Sequence, residues 1–159
     1  MLKVKCIAVD DEPLALEQMK SFISKVEFLE LKAVFDNAFD ALSYLKQNSI
    51  DLVFLDIEME ELTGIEMLQS MDEKPFVILT TAYDQYALQG YELQVTDYLL
   101  KPISFQRFIK AVNRIFDLKN SSQDNSSKAP VLESNDVNDF IFVKTEYKLQ
   151  RIFFDDVLY

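Results

Sequence analysis

The chain contains no histidine. That absence excludes Ser-His and Cys-His nucleophile pairs, imidazole-ligated metal and phosphohistidine chemistry arising from its own residues. Cysteine occurs once, at Cys6, which excludes an internal disulfide and any multi-cysteine zinc site. Cys6 lies in the apolar run Val4–Val9, so burial as a small hydrophobe is expected, and a reducing, cytoplasmic setting fits it. Uninterrupted apolar runs fall far short of the roughly 20 residues that span a bilayer, and the N-terminus lacks the apolar core of a signal peptide. No membrane insertion and no export are expected. Positive charge is scarce as well: 16 Lys and Arg oppose 27 Asp and Glu, a net charge of -11, divided as -8 over residues 1–119 and -3 over 120–159. Neither part is a basic module for nucleic acid or an anionic membrane surface.

What is present suffices for a folded core: 159 residues, 49% of them hydrophobic and 13% aromatic, about one domain's worth of chain. Short apolar runs alternate with helical patterns, the signature of a parallel sheet with crossover helices. The runs predict strands at Val4–Val9, Leu29–Phe35, Leu52–Leu55, Phe76–Thr80 and Asp97–Leu100. Leu52–Leu55 does not alternate, as expected of a strand covered on both faces. Helices are predicted at Pro13–Val26, Ala38–Lys46, Gly64–Met71, Tyr86–Leu93 and Phe105–Leu118, the first starting from Asp11 or Glu12 before Pro13. Phe105, Phe108, Ile109, Val112, Ile115 and Phe116 form the core stripe of the last. The expected architecture is one α/β domain, a doubly wound five-stranded parallel sheet with five helices, over residues 1–119.

From Asn120 to Asp139 the composition shifts to Ser, Asn and Asp, which predicts a linker. Beyond it, Phe140–Val143 and Leu149–Phe154 flank Thr145–Lys148 in the pattern of a β-hairpin. An isolated hairpin is marginal in water, so residues 140–159 are expected to open a second domain whose bulk lies beyond this chain.

In an open parallel sheet, ligands bind beyond the carboxyl ends of the strands. The residues that follow the apolar runs are Asp10-Asp11, Asp56, Thr80-Thr81 and Lys101. Each alone has an ordinary structural account as a helix cap, a turn residue or a solvated charge. Together they put three acids, a hydroxyl and an amine on one edge. Converging carboxylates repel unless a cation joins them, and an oxygen-only ligand set favours Mg2+. A carboxylate beside Mg2+ can attack phosphorus to form an acyl phosphate, with Lys101 and Thr81 available to the phosphoryl oxygens.

Four segments, Ile7-Ala8-Val9-Asp10-Asp11-Glu12, Leu55-Asp56-Ile57-Glu58-Met59, Thr81-Ala82 and Tyr98-Leu99-Leu100-Lys101-Pro102, resemble in order and spacing the receiver domain of bacterial response regulators. The resemblance covers residues 3–118 and implies a flavodoxin-like fold. It further implies Asp56 as phosphoryl acceptor from a sensor histidine kinase, with self-phosphorylation from small donors and autodephosphorylation as the only catalysis. Asp11, Asp56 and the Glu58 backbone carbonyl would hold Mg2+, with Asp10 a ligand through water. Thr81 and Lys101 would hold the phosphoryl oxygens, Tyr98 would be the switch aromatic, and the Lys101–Pro102 bond resembles the family's cis linkage. One departure is visible: where such families usually place proline after the methionine, Met59 is followed by Glu60-Glu61, making this loop more acidic.

Thr80-Thr81-Ala82-Tyr83-Asp84-Gln85-Tyr86-Ala87-Leu88 and Asp97–Pro102 are similar to the LytTR-type subfamily. Phe142-Val143-Lys144 through Asp155-Asp156-Val157-Leu158-Tyr159 resembles the opening strands of its DNA-binding domain. DNA contact is then expected only through the missing C-terminal region, and a homodimer on phosphorylation. Tyr83, Tyr86 and Tyr91 with Leu88 are spaced for half-buried packing or for a partner surface. Two other functions fit less well. A haloacid-dehalogenase-like phosphohydrolase would carry its nucleophile on the first strand and its acidic pair late. A receiver-like module that is never phosphorylated would have no need of every acceptor-site residue.

Overall fold

The computed structural model describes residues 2–84 and 94–124, with side chains to Ser121. Five strands, β1 (Val4–Val9), β2 (Leu29–Phe35), β3 (Leu52–Asp56), β4 (Phe76–Thr81) and β5 (Asp97–Leu100), form one parallel sheet in the order β2-β1-β3-β4-β5. Helices α1 (Pro13–Ser24), α2 (Ala38–Gln47) and α3 (Gly64–Gln69) follow the first three strands, and α4 (Phe105–Asp124) follows β5. This is the doubly wound, flavodoxin-like arrangement expected. The predicted helix Tyr86–Leu93 and the hairpin at 140–159 lie outside the described residues. The chain divides into two units, Met1–Lys119 and Asn120–Tyr159.

Strand side chains alternate between two cores, which explains why the strands read as unbroken apolar runs. Leu52 and Phe54 of β3 join Val4, Cys6, Ala8, Ile78 and Leu99 under α1 and α4, where Met19, Ile23, Phe108, Val112 and Ile115 meet them. Val53 and Leu55 point the other way, joining Ile7, Val9, Val77 and Leu79 under α2 and α3, where Ala38, Ala41, Met67 and Leu68 meet them. Burying each large apolar side chain contributes roughly 1.5–3 kcal/mol. Cys6 is fully buried as expected, and burial pushes its thiol up to about 12.

Local chemistry sets the helix ends. Asn37 caps α2 by accepting from the Asp40 N–H at 2.8 Å. Thr63 and Glu66 form a reciprocal capping box on α3. Helix α1 starts at Pro13 with Glu12 in the cap position but without a side-chain cap bond, so neither Asp10 nor Asp11 is consumed in capping. It stops at Ser24, short of the predicted Val26, because Val26 reaches the core from a turn closed by its N–H to the Ile23 carbonyl at 3.1 Å.

Helix α4 passes its predicted end at Leu118. It runs to Asp124, into the stretch from Asn120 whose composition predicts a linker. A helix already nucleated by packing extends at little cost through Ser and Asn, and the Lys119–Asp51 ion pair at 3.1 Å ties its later part to the residue preceding β3. The rest of the predicted linker, 125–139, lies outside the described residues. Among those described, no helix is long and apolar enough to cross a membrane.

Candidate functional site

Strand register assembles the site. β1 pairs with β3 from Cys6 opposite Leu52 to Val9 opposite Leu55, so Asp10 and Asp56, the next residue on each, arrive side by side. β3 pairs with β4 with Asp56 opposite Thr80, and β4 pairs with β5 with Thr81 opposite Leu100, which leaves Lys101 one residue beyond the edge. The chain reverses direction across the sheet between β1 and β3, where the crevice of a doubly wound sheet opens.

Asp10, Asp11 and Asp56 each offer a carboxylate oxygen, and these atoms lie within 4.8 Å of one another. Asp10 and Asp56 are buried, at 7% and 3% exposed, while Asp11 faces solvent. The Lys101 ammonium bridges the buried pair, 3.0 Å from Asp10 Oδ2 and 3.3 Å from Asp56 Oδ1. The Lys101–Pro102 peptide is cis. Backbone donors take part of the remaining acceptor capacity: the Glu12 N–H donates to Asp10 Oδ1 at 3.0 Å and the Glu60 N–H to Asp11 Oδ2 at 3.2 Å. A cleft of about 260 Å³ opens beside the site, lined by Asp10, Glu12, Gln18, Thr80, Lys101 and Pro102 among others.

Burial, and next the charge of Asp10, push the Asp56 carboxyl up to about 7; Lys101 pulls it down without cancelling them, and Glu58 adds to the rise. For Lys101, burial works against the charged form, but its hydrogen bond to Asp10 and the charges of Asp56 and Asp10 outweigh it, and its pKa is raised. A single ammonium therefore does not neutralise the cluster. The excess of negative charge, held by hard oxygen donors with neither His nor a nearby thiolate, fits Mg2+.

Thr81 is fully buried at the end of β4. Its hydroxyl donates toward both oxygens of the Glu58 carboxylate, at 2.9 and 2.8 Å, and accepts from the Tyr83 N–H at 3.1 Å. The half-buried Tyr98 donates its phenol proton to the Tyr83 carbonyl. Burial, followed by the charges of Asp84 and Glu58, raises the Tyr98 pKa, so the phenol stays a donor. Asp10, Asp11, Asp56, Glu58, Thr81 and Lys101 thus stand at this edge, with Thr81 turned to Glu58, while Tyr98 lies within β5 opposite Leu79 and reaches toward it through its phenol. Of the tyrosine group, Tyr86 and Tyr91, with Leu88, lie outside the described residues.

Three features escaped the sequence reading. Gly64, the first residue of α3, sits so close under β3 that a β-carbon would collide with the Asp56 backbone carbonyl. Its signal was rarity, as one of only 2 glycines in the chain. Glu61 has φ 67°, a left-handed conformation on a non-glycine residue. The Glu58 carboxylate reaches Thr81 across 23 residues of sequence, and no local pattern marks such a contact.

Residues 6–113 match the response regulator receiver domain family. The chain is 37% identical over 131 residues to the transcriptional regulatory protein LytR of Staphylococcus aureus, an alignment covering 80% of this chain and 53% of that one. It spans about half the length of the curated relatives it matches. Among solved structures it is similar to the response regulatory domain of protein mrkE from Klebsiella pneumoniae, with 31% identity and a TM-score of 0.66 over 76% of this chain and 99% of that one. It is also similar to the REC domain of AraT, a response regulator from Geobacillus stearothermophilus, with 29% identity and a TM-score of 0.70 over 77% and 99%.

Proposed function

The chain belongs to the response regulator receiver domain family, and from that membership we propose that Asp56 accepts a phosphoryl group from a sensor histidine kinase and thereby controls transcription through an attached domain. The observation that carries the reading is the cluster of Asp10, Asp11 and Asp56 oxygens within 4.8 Å, bridged by Lys101. An Asp56 carboxylate oxygen attacks phosphorus, a P–O bond to aspartate forms, and the bond from phosphorus to the donor's leaving atom breaks, yielding an acyl phosphate. The Lys101 ammonium, 3.3 Å from Asp56 Oδ1, would meet the new phosphoryl oxygens, and the Thr81 hydroxyl would supply a further donor once it leaves Glu58. Water later attacks the phosphorus, the bond from phosphorus to the Asp56 oxygen breaks, and inorganic phosphate leaves with the carboxylate restored.

Asp11, Asp56 and the Glu58 backbone carbonyl would hold Mg2+, with Asp10 acting through water; when bound, the ion supplies positive charge to the oxygens of the transferring group. The site's own residues orient the acceptor: burial and the Lys101 contact restrict Asp56, and the close approach of Gly64 fixes the backbone behind it. Tyr98, tied to the Tyr83 carbonyl, is the side chain whose movement would report the state of the site. The acidic pair on the first strand and the acceptor on the third oppose the phosphohydrolase alternative.

The LytR relatives are transcriptional regulatory proteins, which supports reading residues 140–159 as the opening strands of a LytTR-type DNA-binding domain. Residues 1–119 would then be the cytoplasmic receiver, dimerising on phosphorylation. The test is intact mass after incubation with acetyl phosphate and Mg2+. The native chain should gain one phosphoryl group and Asp56→Asn none; equal labelling of both overturns the assignment.

A further inference from the structure

We propose that the Glu58 carboxylate is a latch: it occupies the Thr81 hydroxyl in the unphosphorylated protein and must release it before Thr81 can serve a phosphoryl group on Asp56. The inference rests on the acceptor reading of Asp56 and adds to it a positioning role for a side chain two residues away.

The geometry is specific. Thr81 has one hydroxyl proton, and its oxygen lies 2.9 and 2.8 Å from the two Glu58 oxygens, so that proton is shared between them in a charge-assisted bond. The oxygen itself accepts from the Tyr83 N–H at 3.1 Å. The hydroxyl's only proton is therefore committed to an anion that is not the acceptor. A phosphoryl oxygen is also an anionic acceptor of hydroxyl protons, so Glu58 and a phosphorylated Asp56 compete for the same donor. The competition is one-sided after transfer, because the new group adds negative charge beside Glu58 and like charges repel. Glu58 is only half-buried and has a path to solvent, whereas Thr81 is fully buried and has none.

Release would not stop at Thr81. The Tyr83 N–H is held by the Thr81 hydroxyl, and the Tyr83 carbonyl receives the Tyr98 phenol proton. Glu58, Thr81, Tyr83 and Tyr98 thus form one hydrogen-bonded series from the acceptor loop to the aromatic of β5. When the Thr81 hydroxyl turns toward Asp56, the Tyr83 N–H bond to it is disturbed, and that change reaches the residue whose carbonyl receives the Tyr98 phenol. The latch opposes phosphorylation and holds the unphosphorylated arrangement of Tyr98.

The test uses the full chain and the variants Glu58→Ala and Glu58→Gln. Phosphorylation by acetyl phosphate in Mg2+ is followed by intact mass, and the Thr81 amide and Tyr98 ring are followed by NMR in chelator without donor. Losing a charged hydrogen-bond partner should make Glu58→Ala label about tenfold faster than the native chain. Its metal-free Thr81 and Tyr98 resonances should move toward their positions in the native chain loaded with beryllofluoride. Glu58→Gln keeps the size and an acceptor oxygen but not the charge, so it should fall between the two and guards against a trivial folding defect. Unchanged or slower labelling of both variants, or unchanged metal-free resonances, overturns the latch while leaving Asp56 as acceptor. Failure of the native chain to label at all overturns the acceptor reading and the latch with it.

Discussion

Replacing Asp56 with Asn should stabilise the metal-free protein at alkaline pH and do little at acid pH. Moving a carboxyl from 3.8 to about 7 corresponds to a cost of roughly 4 kcal/mol for its charged form in the fold. Because the folded pKa is the higher one, the native state holds the proton where the unfolded chain has lost it. The stability contributed by that proton is fully present below 3.8 and is lost as pH rises through about 7. Asn is neutral at every pH and escapes the loss. Local relaxation and the altered hydrogen bond to Lys101 reduce the difference, leaving roughly 2–4 kcal/mol at pH 8.5, or roughly 10 °C in Tm for a domain of this size. The absence of histidine makes the measurement clean, since no side chain with an ordinary pKa titrates between pH 5 and 8. Urea titrations followed by circular dichroism, in chelator from pH 4 to 8.5, should show the two proteins converging at the acid end and separating through neutrality. A gap that is constant with pH, or a variant less stable than the native chain at pH 8.5, refutes the charge-repulsion argument.

Three further outcomes follow from the same geometry. Mg2+ at ten times its Kd should stabilise the native chain by about 1.4 kcal/mol, and Asp11→Ala should lose both this shift and labelling by acetyl phosphate; normal labelling of the variant in Mg2+ rules out the assigned ligand set. Glu61→Gly relieves a left-handed φ of 67° and should stabilise by about 0.5–1 kcal/mol after the entropy of the unfolded glycine is counted, whereas Glu60→Gly should destabilise; denaturant midpoints that move together would deny the strain. Gly64→Ala forces a β-carbon against the Asp56 carbonyl and should destabilise by about 1–3 kcal/mol and slow phosphorylation, and a native-like melt would show that β3 can shift freely.

Much of this molecule was legible in one dimension. Apolar runs of period two or less and helical stripes depend on residue type and spacing alone, so Val4–Val9, Leu29–Phe35 and Asp97–Leu100 were located at the bounds the fold displays. Element ends were less legible, because they depend on which groups find partners: α1 stops where the core is reached from a turn, and α4 continues past Leu118 because a packed helix extends cheaply. The site followed from the rule that acids, hydroxyl and amine trailing successive parallel strands share one edge, which made Asp10, Asp11, Asp56, Thr81 and Lys101 candidates before any contact was known.

This placement was readable from the residues alone, since connectivity and strand polarity follow from pattern. How the charges are shared emerges on folding: Lys101 bridges Asp10 and Asp56, Gly64 lies against the acceptor's backbone, and the Thr81 proton belongs to Glu58. Hydrogen bonds and ion pairs act over about 3 Å, and which groups come that close across 23, 45 or 91 residues is set by strand register and packing rather than by any local run of residues.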